Sequence, residues 1–88
     1  MTRKRVVVSG LVQGVFFRDT CRRKAGQQGV TGWVRNRQDG TVEAVFEGPD
    51  DRVDRLVEWA RRGPSRAIVS HITVDEERPE GLSGFAIR

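Results

Sequence analysis

The sequence predicts an α+β fold in which two helices cover one face of a four- or five-stranded, mainly antiparallel sheet, and three observations carry that expectation. Strand-type and helix-type runs follow one another in the order βαββαβ with a short tail. Asp39-Gly40 sits between two β-type runs, a strong hairpin signal. Both of those runs alternate with period two, which gathers apolar residues on one face and charges on the other.

Arg5 to Leu11, rich in valine, reads as the first strand, and the turn-prone segment Val12 to Phe17 follows, with Gly10 and Gly14 flanking its start. A helix is expected from about Arg18 to Gln28. Its apolar face is thin, with Phe17, Cys21 and Ala25 at helical spacing, and Gly29 supplies the stop. Val30 to Arg37 and Thr41 to Glu47 form the hairpin around Asn36-Arg37-Gln38-Asp39-Gly40. Val30, Gly32, Val34 and Asn36 share one side, while Thr31, Trp33, Arg35 and Arg37 take the other. Val42, Ala44 and Phe46 alternate in the same way with Glu43, Val45 and Glu47. Arg35 and the two glutamates are therefore expected on the outer face, where opposite charges pair across strands and help fix register.

Gly48-Pro49-Asp50-Asp51 opens a second helix, because Pro suits the first turn and the acids complement the positive end of the helix dipole. Val53, Leu56, Val57 and Ala60 make its buried stripe, and Arg61-Arg62-Gly63-Pro64 ends it. Ile68 to Asp75 is the fourth strand, and Gly84 to Arg88 adds a short edge strand. The arrangement is a ferredoxin-like βαββαβ two-layer sandwich.

With 88 residues, of which 36% are apolar and 32% charged, the chain is expected to be one folded domain, residues 1–88, with room for a single modest core. The net charge of +4 favours an anionic partner without choosing among a phosphorylated metabolite, a nucleic acid and a membrane surface. Met1 to Arg5 followed by Val6-Val7-Val8 imitates a signal peptide, but Ser9-Gly10 and Gln13 break the run and no small-residue cleavage site precedes Arg18. The lone Cys21 excludes an internal disulfide, and no stretch approaches the roughly 20 apolar residues that span a bilayer. A reducing cytoplasm is the expected home, with no membrane partner.

In a split βαβ unit the first two strands run parallel with the third between them, so their C-terminal ends emerge at one edge, about 10 Å apart. That brings Arg18, just after the first strand, towards Asn36 at the end of the second. Gln13 to Phe17 lies ahead of a helix N-terminus, where free amides and the dipole favour an anion. Gly14 lets the backbone come close, and Arg18 offers a permanently charged fork suited to two phosphoryl oxygens. These residues alone leave alternatives open, since such a turn also serves plain connectivity and Asn36 suits a turn. The Gly-Lys-Ser/Thr nucleotide loop and the G-x-G-x-x-G pattern are both missing.

Gly10-Leu11-Val12-Gln13-Gly14-Val15-Phe16-Phe17-Arg18 resembles the acylphosphatase signature G-x-V-Q-G-V-x-F-R at every defined position. Gly32-Trp33-Val34-Arg35-Asn36, with Gly40, Val42 and Gly48 following, resembles the family's other signature, and the similarity spans essentially the whole chain. The resemblance implies a free-standing acylphosphatase that hydrolyses acyl phosphates, with Arg18 as the phosphate-binding catalytic arginine and Asn36 orienting the attacking water. It also implies that the amides of about Gln13, Gly14, Val15, Phe16 and Phe17 complete the anion site together with Arg18. The expected partners are a small acyl phosphate and inorganic phosphate, as product and competitive inhibitor, and the expected state is a monomer.

No cofactor or metal is expected, because the sequence has no Cys/His cluster and no paired carboxylates near Arg18. His71 shares a side with Val69 and Thr73 in the fourth strand and is expected to be structural, as is Cys21. RNA-recognition domains share the βαββαβ order, but they stack bases on outer-face aromatics, where this third strand presents Glu43 and Glu47 and turns Phe46 inward. Nucleic acid is therefore not an expected partner. A vestigial module, like the acylphosphatase-like domains of larger carbamoyl-transfer maturation proteins, is the other rival, weakened by the presence of both Arg18 and Asn36.

Overall fold

The computed structural model describes all 88 residues. In chain order the elements are β1 (Thr2–Leu11), α1 (Phe17–Gln28), β2 (Thr31–Asn36), β3 (Val42–Gly48), α2 (Asp50–Ala60), β4 (Ile68–Glu77) and β5 (Phe85–Ile87). They form a five-stranded sheet in the order β4-β1-β3-β2-β5, with both helices packed on it. β3 pairs antiparallel with β1 and β2, so β1 and β2 are parallel to each other and deliver their C-terminal ends to the same edge. The tail strand β5 lies parallel beside β2.

The predicted alternation builds the core. Val6, Val8, Val34, Val42, Ala44 and Phe46 face the helices and meet Phe17, Cys21 and Ala25 of α1 and Val53, Leu56, Val57 and Ala60 of α2. Phe46 is completely buried and stacks on Phe85 of β5 at 6.0 Å. The Phe17 and Trp59 rings, 5.0 Å apart, tie the two helices together. Gly29 ends α1 as expected, its amide reaching back to the last helical carbonyls. At α2 no side chain caps the first turn, and Asp50 and Asp51 complement the dipole instead.

Cys21 is fully buried in this layer, and burial alone pushes its thiol far above the ordinary range. A thiol reagent added to the native protein is expected to find no reactive sulfhydryl, and to titrate one equivalent once denaturant has unfolded it; rapid native labelling would contradict the packing.

One expectation needs correction. His71 does not share a side with Val69: Gly10 pairs with Val69 and Ser9 with His71, leaving Ser70 as an extra residue in β4. This bulge shifts the parity, so Val69, Ile72 and Val74 all pack on the core while His71 is exposed. Gly10 is required there, with φ 122° and the position of a Cβ only 2.2 Å from the Ile68 carbonyl oxygen.

The outer face is also less solvated than its charges suggest. Glu43 and Glu47 are only 6% and 2% exposed, and Arg3 3%. Arg3 donates to Glu47 at 2.8 Å and to Glu77 at 2.9 Å, Arg5 bridges Glu77 and Glu43, and Arg35 donates to Glu43 at 2.7 Å. The expected Arg35–Glu43 pairing across β2 and β3 is thus present, inside a longer ladder. Trp33 lies among the guanidinium groups of Arg5, Arg35 and Arg88, at 5.5, 5.8 and 4.8 Å from its ring centre. Long basic side chains lying across the sheet, together with the backbone of residues 80–82, remove the two glutamates from water.

Candidate active site

The edge where β1 and β2 end carries a cleft of about 360 Å³ lined by Val12, Gly14, Phe16, Phe17, Arg18, Asp19, Asn36 and Ile87. Arg18 belongs to the first turn of α1, and Asn36 is the last residue of β2. The parallel arrangement of β1 and β2 is what brings them to one cavity.

The connecting loop reaches α1 through left-handed backbone at Gly14 (φ 74°) and at Phe16 (φ 65°), the only non-glycine residue with positive φ. A bulky residue held there stores strain, of order 1–3 kcal/mol, that the surrounding structure has to hold in place. Part of that anchoring is visible. Gln13 Nε2 donates to the carbonyls of Arg37 at 2.8 Å and Thr41 at 2.9 Å, pinning the loop to the β2–β3 hairpin.

Donors accumulate in this loop. No amide from Gln13 to Phe17 donates a hydrogen bond within the protein, and no side chain caps the N-terminus of α1. Arg18 is exposed and takes part in no ion pair or side-chain hydrogen bond. Nothing of the protein crowds the space a Cβ would occupy at Gly14. Across the cleft Asn36 Oδ1 is buried and has no hydrogen-bond partner, the only buried side-chain oxygen or nitrogen in that state. An unbonded buried carbonyl oxygen costs about 1–3 kcal/mol, which a donor entering the cleft would offset.

Of the residues singled out from the sequence, Gly14, Phe16, Phe17, Arg18 and Asn36 line the cleft together. Gln13 and Val15 do not: the Gln13 side chain is spent on the hairpin, and Val15 is buried in the core, so only their backbone amides lie in the loop. Sequence reasoning missed Asp19, whose acid borders the same cavity, and Ile87, which becomes a wall only because β5 docks beside β2. The tail was expected as a short edge strand, but nothing in its sequence said that β2 would be its neighbour.

The fold and the cleft define a ferredoxin-like α+β protein with a donor-rich site that carries an unpaired arginine at one edge of its sheet. The acylphosphatase family profile matches residues 4–87. An acylphosphatase from Haloarcula marismortui is 55% identical over 87 residues, covering 99% of this chain and 96% of that relative. The crystal structure of acylphosphatase from Bacillus subtilis superposes with a TM-score of 0.95 at 39% identity, covering 100% of this chain and 99% of that one. An acylphosphatase from Coxiella burnetii gives 0.94 at 45% identity over 99% and 92% of the two chains. The chain belongs to the acylphosphatase family.

Proposed function

We propose that this protein hydrolyses acyl phosphates to a carboxylate and inorganic phosphate, with Arg18 and the amides of Gln13 to Phe17 holding the phosphoryl group and Asn36 orienting the attacking water. One observation supports this most: Asn36, whose Oδ1 is buried and unpartnered, lines the same small cleft as an unpaired arginine and the loop of unbonded amides. The acceptor suits a water hydrogen, and the donors suit phosphoryl oxygens.

Phosphoryl transfer depends on placing the nucleophile in line and stabilising charge on the equatorial oxygens, and the proposed groups divide those two tasks. A carboxylate leaves as the conjugate base of an acid with pKa about 4, so no general acid is needed. Neutral Asn36 is a poor base, and the water proton passes to a phosphoryl oxygen of the substrate. Rate is therefore expected to be flat between about pH 5 and 8; a sharp ionisation near the ordinary histidine value of about 6.5 would contradict this route. The chemistry as written uses no metal, and chelator should leave the rate unchanged. No helix of the chain is long and apolar enough to cross a membrane.

The test is steady-state hydrolysis of benzoyl phosphate with chelator present. Asn36→Ala is expected to lose about a hundredfold or more in kcat while phosphate still inhibits competitively with an unchanged constant. If wild-type protein turns over no acyl phosphate, the proposal fails and a binding role takes its place.

A further inference from the structure

A second depression, of about 450 Å³, shares Phe16 with the cleft. Thr20, Arg23 and Lys24 of α1 form one wall, and Ser65 and Arg66 of the turn after α2 form the other. Phe16 lines both cavities and is 66% exposed, so the two meet at this residue. The Arg66 guanidinium lies 5.8 Å from that ring's centre.

The groove is lined by basic side chains. No Asp or Glu lines the groove, and Arg23, Lys24 and Arg66 make no ion pair. On the outer sheet face, by contrast, Arg3, Arg5 and Arg35 are all held by glutamates. Lys24 also borders a neighbouring hollow with Asp51, Asp54 and Glu58, so Arg23 and Arg66 are the cations that answer to this groove alone. Converging cations with no counter-charge repel one another, and a bound anion relieves that repulsion. Guanidinium forks fit a carboxylate in particular.

We infer that this groove is the acyl-group subsite, favouring acyl phosphates whose acyl chain ends in a second anionic group. Arg66 and Arg23 bind that group, and the Phe16 ring packs against the carbons that connect it to the reacting carbonyl. The inference rests on the acyl phosphate chemistry proposed above and adds to it the end of the substrate that the cleft does not hold.

The experiment compares acetyl phosphate, which has no second charge, with succinyl phosphate, which ends in a carboxylate, at constant ionic strength. In Arg66→Gln, kcat/KM for succinyl phosphate is expected to fall about fivefold through KM, and about tenfold or more in Arg23→Gln/Arg66→Gln, while acetyl phosphate changes less than about twofold. Equal losses for both substrates would overturn the subsite, because they would mean general attraction of the phosphoryl group; no loss for either would overturn it too. Failure of wild type to hydrolyse acetyl phosphate would instead sink the proposed activity. The subsite is judged independently by tryptophan fluorescence in a Trp33→Phe background, where Trp59, which lines the groove, is the single reporter. In Asn36→Ala, succinyl phosphate should perturb it and added Arg66→Gln should weaken that binding; an unaltered titration overturns the inference.

Discussion

Arg18→Ala is expected to abolish turnover of benzoyl phosphate, by about a thousandfold or more, and to remove competitive inhibition by phosphate with it. The proposed role makes both losses necessary, because the guanidinium meets the phosphoryl oxygens in the ground state as well as in the transition state. Asn36→Ala differs in kind, since it removes the group that positions water and leaves the anion cradle intact. Arg18→Lys should restore charge without the planar fork, recovering some phosphate affinity and little of the rate. Stability separates this from a folding defect. Arg18 is exposed and bonded to nothing in the protein, so its removal should move the unfolding free energy by no more than about 0.5 kcal/mol. Phosphate inhibition that survives Arg18→Ala would show that the amides bind the anion without the arginine, and would sink the assignment.

The pairing of Arg18 with Asn36 was legible because two ordinary facts combine. Alternation along Val30, Gly32, Val34 and Asn36 sets which way Asn36 points, and the βαββαβ order makes β1 and β2 parallel with their ends at one edge. Other features are written in contacts that no local pattern reports. The left-handed Phe16 is imposed by a loop whose anchor, Gln13, bonds to carbonyls 24 and 28 residues away. A single extra residue opposite Ser9 and Gly10 reversed the expected side of Val69 relative to His71. On the outer face, alternation placed Glu43 and Glu47 correctly but could not give their burial. For Glu47 that depends on Arg3 and on the backbone of residues 80–82, which come from opposite ends of the chain, and for Glu43 on Arg5 and Arg35.

Glu47 is the position where that unforeseen burial carries the largest stability effect. Its carboxylate accepts hydrogen bonds from Arg3 and from the amides of Glu80, Gly81 and Leu82, at 2.8 to 3.2 Å. Burial by itself would raise the carboxyl's pKa; the amides of residues 80–82 and Arg3 outweigh it and hold the group below its ordinary value. Glu47→Gln keeps the shape, turns a donor towards donors and leaves the Arg3 guanidinium, 4% exposed, with one buried partner fewer. The expected cost is about 3 kcal/mol, against under about 0.5 for Glu58→Gln, which breaks only the exposed pair with Arg61. The sign with pH follows from the lowered pKa. The carboxylate's contribution is complete above the unfolded value, near 4.5, and is lost as pH falls through the lower folded value. Urea unfolding of wild type should therefore show steady stability near neutrality and a decline below about pH 4.5, with a shallower decline in Glu47→Gln. Glu43, held low by Arg35 and Arg5, and Glu77, held low by Arg5 and Arg3, keep part of the slope in the variant. Parallel pH curves for the two proteins would mean that the Glu47 carboxyl has the same pKa folded and unfolded, and that its contacts with Arg3 and the 80–82 backbone contribute nothing specific to the charged form.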